Sequence, residues 1–205
     1  MNVTLFDYGA GNLHSLAKAL DGPATSVRIE TDPVRAVGTG TDVLVLPGVG
    51  AFGAAAERLA PGREAMRAAI LRGLPTIGIC LGMQLLFDGS DEGDGAGLGV
   101  IAGRVTRLRA VRVPQIGWNQ VMPVERDPLF AAAQLEMVYY ANSYVCRPTD
   151  TDAVTAWTEH EGDRFPAAVR AGRAVGVQFH PEKSSTQGVR FLRAFLDHAR
   201  TTESQ

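Results

Sequence analysis

The chain has 205 residues, 45% of them apolar and 20% charged, with a formal net charge of −2. That length suits one domain with a proper core, and the charge leaves no electrostatic footprint for nucleic acid and no basic face for a membrane. No apolar run approaches the roughly 18 residues of a membrane helix, and Asp7 arrives too early for a signal peptide. Two cysteines, Cys80 and Cys146, suit a reducing cytoplasm rather than a disulfide scaffold. The four histidines are scattered, so neither a metal nor a cofactor is expected. Residues 1–200 are expected to form a single domain and 201–205 a polar tail.

In chain order, Asn2–Phe6 reads as a strand, Leu13–Leu20 as a helix and Ser26–Glu30 as a strand. Asp42–Leu46 is a continuous apolar run of the kind buried on both faces of a parallel sheet. One helix is expected over roughly Ala54–Arg72, where Ala55, Leu59, Met66 and Ile70 fall near a period of about 3.6. Thr76–Ile79 gives another buried strand and Leu81–Phe87 a helix. Alternation of this kind means βαβ units. The acidic, glycine-rich stretch Asp88–Gly99 is expected to be an exposed loop.

Beyond it the pattern turns β-rich: Val100–Leu108, Gln120–Val124, Met137–Tyr140, Ala153–Thr158, Ala167–Arg170 and Ala174–Gln178. Turn signals at Glu161-Gly162-Asp163 and Ala171-Gly172 predict antiparallel pairs here. An amphipathic helix over about Gly188–His198 closes the chain. The fold class is therefore α/β: an open, mostly parallel sheet flanked by helices, with additional antiparallel strands in the C-terminal half.

Three segments carry chemistry. Cys80 stands between a buried strand and a helix, flanked by Gly78 and Gly82, the layout of a nucleophile elbow with cysteine in place of serine. The helix starting at Leu81 would aim its free N–H groups at the sulfur and favour a thiolate. From this segment alone, a buried structural cysteine reads equally well. Val177-Gln178-Phe179-His180-Pro181-Glu182-Lys183 follows the last strand. Pro181 biases His180 toward an extended conformation, which would let His180 and Glu182 share a face. A carboxylate beside an imidazole orients a base able to take the thiol proton. Alone this segment reads as a strand-end histidine with a solvated glutamate; beside Cys80 it reads as the rest of a triad.

The third segment is Leu46-Pro47-Gly48-Val49-Gly50-Ala51-Phe52-Gly53. Gly48, Gly50 and Gly53 fit G-x-G-x-x-G, so a dinucleotide site is an alternative. Against it, no acidic residue ends the next strand to hold a ribose hydroxyl. The glycine turn can instead present backbone N–H groups to an oxyanion. Gly9-Ala10-Gly11-Asn12 lacks a phosphate motif, and Asn12 could cap the first helix. Arg104, Arg107, Arg109 and Arg112 read as a solvated strand face, and Cys146 as structural.

With these segments in hand, the chain resembles the class I (triad) glutamine amidotransferases and, more narrowly, the glutaminase subunits of imidazole glycerol phosphate synthases. Gly-Ile-Cys-Leu-Gly-Met-Gln at 78–84 and Gln-Phe-His-Pro-Glu-Lys at 178–183 match the class. Asp7-Tyr8-Gly9 through Asn12-Leu13, Pro47-Gly48-Val49-Gly50 and Pro114-Gln115-Ile116-Gly117-Trp118-Asn119 point to the subunit. The resemblance implies that Cys80 attacks glutamine, with His180 as proton shuttle and Glu182 as its orienting partner. It places the oxyanion hole at Val49 and Leu81, and glutamine binding at Gly50, Gln84, Ser143 and Tyr144.

The implied partner is a (β/α)₈ cyclase subunit, in a heterodimer, that receives the ammonia through a sheltered channel. Asn12, Trp118, Asn119, Tyr139 and Lys183 match interface positions. The complex would make imidazole glycerol phosphate and AICAR in histidine biosynthesis, without nucleic acid or membrane. One departure is Asn142, where many members carry His; an amide cannot ionise. Competing readings are a glutaminase of the same class serving another synthetase, which Gly117-Trp118-Asn119 argues against, and a nucleotide-binding oxidoreductase built on Gly48–Gly53.

Overall fold

The computed structural model describes residues 1–9, 13–124 and 127–201. An eight-stranded sheet runs in the order β2 (Ser26–Glu30), β1 (Asn2–Phe6), β3 (Val43–Leu46), β4 (Thr76–Ile79), β13 (Ala174–Val177), β12 (Asp163–Ala171), β11 (Val154–His160), β8 (Met122–Pro123). The first five are parallel and the last three add antiparallel. This is the expected α/β sheet with its antiparallel extension.

Burial on both faces explains the apolar strands. In β1, Val3 and Leu5 enter one core and Phe6 the other; in β3, Val43 and Val45 oppose Leu44 and Leu46. Alternation sends successive side chains to opposite faces. Helices α1 (Leu13–Leu20), α5 (Pro128–Ala133) and α6 (Ser185–Thr201) cover the first core through residues such as Leu16, Phe130 and Phe191. Helices α2 (Phe52–Leu59) and α3 (Arg63–Leu71) cover the second with Phe52, Leu59 and Met66. Phe130, Phe179 and Phe191 pack edge-on and tilted, with centroids 5.0–6.4 Å apart, a geometry that suits the ring quadrupoles.

Several expected boundaries move. The single helix over Ala54–Arg72 is two helices, because a 3₁₀ turn at Ala60–Gly62 carries Pro61 and lets Gly62 sit against Pro33. The helix after Cys80 is one turn, α4 (Leu81–Gln84), rather than Leu81–Phe87. Asp88–Gly99 is not a wholly exposed loop: Gly89–Ser90 forms β5, and Gly97 and Leu98 are buried. A glycine is required at 97, where a Cβ would lie 2.0 Å from the Phe87 carbonyl oxygen.

The strand expected from Val100 begins at Gly103, giving β6 (Gly103–Arg107), which pairs with β5 and with β10 (Tyr144–Pro148). Gln120–Val124 divides between β8 and the longer β7 (Gln115–Gln120), which pairs antiparallel with β9 (Met137–Asn142) as a separate ribbon. Arg104, Arg107, Arg109 and Arg112 are exposed. No described helix is long and apolar enough to cross a membrane.

Candidate active site

The three segments singled out in the sequence emerge from the carboxyl ends of neighbouring parallel strands. Gly48-Val49-Gly50 follows β3, Cys80 follows β4, and Gln178–Lys183 follows β13, with β4 between the other two. Neighbouring strands lie about 4.8 Å apart, so this topology brings together residues some hundred positions apart in sequence. It is where open α/β sheets present their sites.

Cys80 is the sharp point of a strand-to-helix turn, at φ 50° and ψ −103°. That left-handed value in a residue with a Cβ is strain of the kind found at active sites. Its backbone N–H donates to the Val177 carbonyl at 2.7 Å, which ties the elbow to β13. The flanking glycines are needed because a Cβ on Gly78 would meet the Gly82 carbonyl oxygen at 2.4 Å. One on Gly82 would meet that of Leu46 at 2.0 Å. Because α4 is a single turn, its macrodipole is far smaller than a long helix would give, and what faces the sulfur is the local N–H groups of that turn.

His180 is 1% exposed, and its Nδ1 lies 2.9 Å from Glu182 Oε1. The two meet because Pro181–Lys183 turns as a 3₁₀ segment after the extended His180, not because an extended segment continues past it. Burial opposes a charged imidazole. The hydrogen bonds and negative charges of Cys80 and Glu182 outweigh it, pushing the His180 pKa up to about 10. The same contacts make His180 a stronger base than a free imidazole. Its backbone is also held: the His180 N–H donates to the Tyr139 carbonyl at 2.9 Å, and Ser184 Oγ donates to the His180 carbonyl at 2.6 Å while accepting from the Tyr139 N–H.

A cavity of about 230 Å³ joins these groups; among the expected site residues, Val49, Gly50, Cys80, Leu81, Gln84, Ser143, Tyr144 and His180 line it. It is smaller than the roughly 300–1,000 Å³ of drug-sized pockets and suits a molecule of amino-acid size. Glu182 stands behind His180 and lines a smaller neighbouring cavity with Val49 and Lys183.

The glycine turn is accounted for by packing. A Cβ on Gly48 would meet the Ile79 carbonyl oxygen at 2.3 Å and Cys80 Cβ at 2.9 Å, and Gly50 has φ +125°. Gly48 thus brings its backbone against the elbow, and the segment lines the small cavity instead of a dinucleotide cleft. Cys146, also free, is fully buried in the second core, and burial pushes its thiol well up.

Two cavity residues, Glu92 and Asn142, and one residue buried behind the cavity wall, Gln178, have no role marked by the sequence pattern. Glu92 enters from the Asp88–Gly99 stretch, and its Oε2 accepts from the Phe52 N–H at 2.9 Å, capping α2 from forty residues away. No sequence pattern marks such a long-range cap. Asn142 Nδ2 donates to the Tyr144 carbonyl at 3.2 Å, and its buried Oδ1 has no partner among the described residues. Gln178 is fully buried and donates from Nε2 to Cys80 Sγ at 3.4 Å; it lay within a quoted motif, but only as a strand residue.

The expected interface residues divide. Trp118 and Tyr139, cross-strand partners in the β7–β9 ribbon, meet edge-on at 6.3 Å between centroids, and Lys183 Nζ stands 5.9 Å from the Tyr139 ring centroid. With Trp118 52% exposed, they form an aromatic surface that reaches the cavity through Lys183, which lines it. Asn119 alternates to the other side and donates to the Glu159 carbonyl at 2.8 Å. Asn12 lies outside the described residues.

An amino-acid-sized cavity at the carboxyl edge of a parallel sheet, with a strained cysteine beside a His–Glu pair, defines the class. Residues 4–199 match the family described as glutamine amidotransferase class-I, and the chain belongs to it. Within that class it belongs to the family of imidazole glycerol phosphate synthase subunit HisH. It is 42% identical over 206 residues to the protein of that name from Halobacterium salinarum, covering 96% of this chain and 93% of the relative. It is likewise 42% identical over 195 residues to the one from Pyrococcus furiosus, covering 94% and 97%. The fold matches a solved glutamine amidotransferase with a TM-score of 0.74 at 20% identity, over 97% of this chain and 98% of that one. It also matches the glutaminase domain of Trypanosoma brucei CTPS, with a TM-score of 0.67 at 18% identity, over 98% and 94%.

Proposed function

We propose that the chain hydrolyses L-glutamine to L-glutamate and ammonia, with Cys80 as nucleophile, His180 as proton shuttle and Glu182 as its orienting partner. The observation that carries this reading is the cysteine held at φ 50° on the elbow, in one cavity with His180, whose Nδ1 meets Glu182 from behind. The Cys80 thiol passes its proton to His180 as the sulfur attacks the side-chain carbonyl carbon of glutamine. The backbone N–H groups of Val49 and Leu81 hold the resulting oxyanion; one such donor is worth about 10²–10³ in rate. Protonated His180 gives its proton to the departing nitrogen, which leaves as ammonia, and a γ-glutamyl thioester remains on Cys80. Neutral His180 then takes a proton from water, whose oxygen attacks the thioester to release glutamate and restore the thiol. Gly50, Gln84, Ser143 and Tyr144 bind glutamine, and the Glu92 carboxylate on the cavity wall suits its α-ammonium group.

The ammonia passes to a (β/α)₈ cyclase subunit, which with this chain forms the heterodimer that makes imidazole glycerol phosphate and AICAR in the cytoplasm. Trp118, Tyr139 and Lys183 supply the docking surface beside the cavity, a composition that suits interface hot spots; Asn12 belongs to it by resemblance, and Asn119 supports it from β7. The HisH names of the relatives and the aromatic surface support this assignment. A glutaminase assay with and without co-expressed cyclase tests it. Weak ammonia release alone, strong release with the cyclase and its ligand, and loss in Cys80→Ala are expected. Robust release from Cys80→Ala would overturn it.

A further inference from the structure

Behind the cavity wall, three groups line up on the Cys80 sulfur. The Tyr144 carbonyl accepts from Gln84 Nε2 at 3.2 Å. The same nitrogen lies 3.4 Å from Gln178 Oε1, and Gln178 Nε2 lies 3.4 Å from Cys80 Sγ. Gln84 is 5% exposed and Gln178 fully buried, so water cannot substitute for these contacts.

The direction of this chain follows from its far end. A backbone carbonyl can only accept, so the Gln84 atom facing it must be the amide nitrogen, with two hydrogens to give. One goes to Tyr144; the other faces Gln178, whose facing atom must then be its oxygen. That leaves the NH₂ group of Gln178 toward the sulfur. The β10 backbone thereby sets the orientation of an amide two residues away through space, and the amide can only donate to Cys80.

We infer that Gln178 is a positioning residue for the nucleophile: its amide N–H stabilises the Cys80 sulfur as an anion and holds it toward the cavity, with Gln84 and the Tyr144 carbonyl locking that amide against rotation. A donor to an anionic acceptor makes a stronger hydrogen bond than one to a neutral thiol, so this contact favours the reactive form over the resting thiol. Gln84 then has two tasks, on the glutamine wall and in this lock. The inference rests on Cys80 being the nucleophile.

The test is alkylation of Cys80 by iodoacetamide as a function of pH, read on the Cys80 peptide by mass spectrometry, in the full chain. Gln178→Met keeps length and packing but removes the donor. The expected result is an alkylation rate about tenfold lower at pH 7, with variant and native rates converging at alkaline pH, where the anion forms in both. A packing role would not produce convergence. Rates that coincide at every pH would overturn the inference.

A second readout leaves Gln178 unchanged, should Gln178→Met fail to fold. In Cys80→Ala, the side-chain amide resonance of Gln178 is expected to move because its acceptor is gone; an unmoved resonance would also overturn the inference. Alkylation reports on the thiol itself, so the two readings fail separately. Unchanged rates with intact glutaminase would sink only the role of Gln178, whereas altered rates in a chain whose native form releases no ammonia would sink the functional assignment.

Discussion

Glu182 Oε1 sits 2.9 Å from His180 Nδ1, and Cys80 and this carboxylate together raise the pKa of the imidazole against the burial that opposes it. A histidine whose pKa rises on folding binds its proton more tightly folded than unfolded. Its stabilising contribution is therefore complete below the ordinary value of 6.5 and is lost as pH climbs toward about 10. Thermal unfolding from pH 6 to 10 should show the native chain losing stability relative to His180→Asn across that window. Parallel curves would contradict the raised pKa of His180.

Cys80 holds a strained backbone at φ 50°. Glycine tolerates positive φ where alanine does not, so Cys80→Gly should be more stable than Cys80→Ala by about 1 kcal/mol, the relief of strain reduced by the backbone entropy of glycine. Both should lose glutaminase activity by at least about 10³-fold. Chemical denaturation, read beside an ammonia assay, checks both effects.

The elbow also depends on close backbone approach. Gly82→Ala would place a Cβ 2.0 Å from the Leu46 carbonyl oxygen, and rigid backbone cannot yield as a side chain would. A loss of about 3 kcal/mol or more is expected, at the upper end of overpacking costs. Gly22→Ala, with only the Arg193 guanidinium at 3.9 Å, should change stability by less than about 0.5 kcal/mol. Urea unfolding of the two variants tests the contrast.

On the aromatic surface, Trp118→Ala should weaken cyclase binding by about 2 kcal/mol or more while leaving the unfolding midpoint of the free chain within error, because Trp118 is 52% exposed and contacts Tyr139 by its edge. Titration calorimetry of the two subunits measures the first quantity and a thermal melt the second.

The central strands could be read from the sequence because parallel strands buried on both faces are largely apolar: Asn2–Phe6 and Thr76–Ile79 fall where expected, and Asp42–Leu46 differs by one residue. The candidate site residues Cys80, His180 and Glu182 were legible because their segments follow those strands directly. The ribbon strand β7 was not, since Ile116 and Trp118 face outward and its pairing with β9 is tertiary. The break at Pro61 was visible but lost within a helical period that runs on through α3. Glu92 and the amide lock at Gln84 and Gln178 depend on contacts across forty to ninety-four positions, which local pattern cannot reveal.

The most direct test of the central claim is labelling with a glutamine-shaped electrophile, a diazoketone analogue carrying the same α-amino acid end, followed by peptide mass spectrometry of the chain in complex with its cyclase. One label is expected, on Cys80, formed in step with loss of ammonia release and blocked by excess glutamine. Label on Cys146 or elsewhere, or full ammonia release from a chain quantitatively labelled at Cys80, would contradict it.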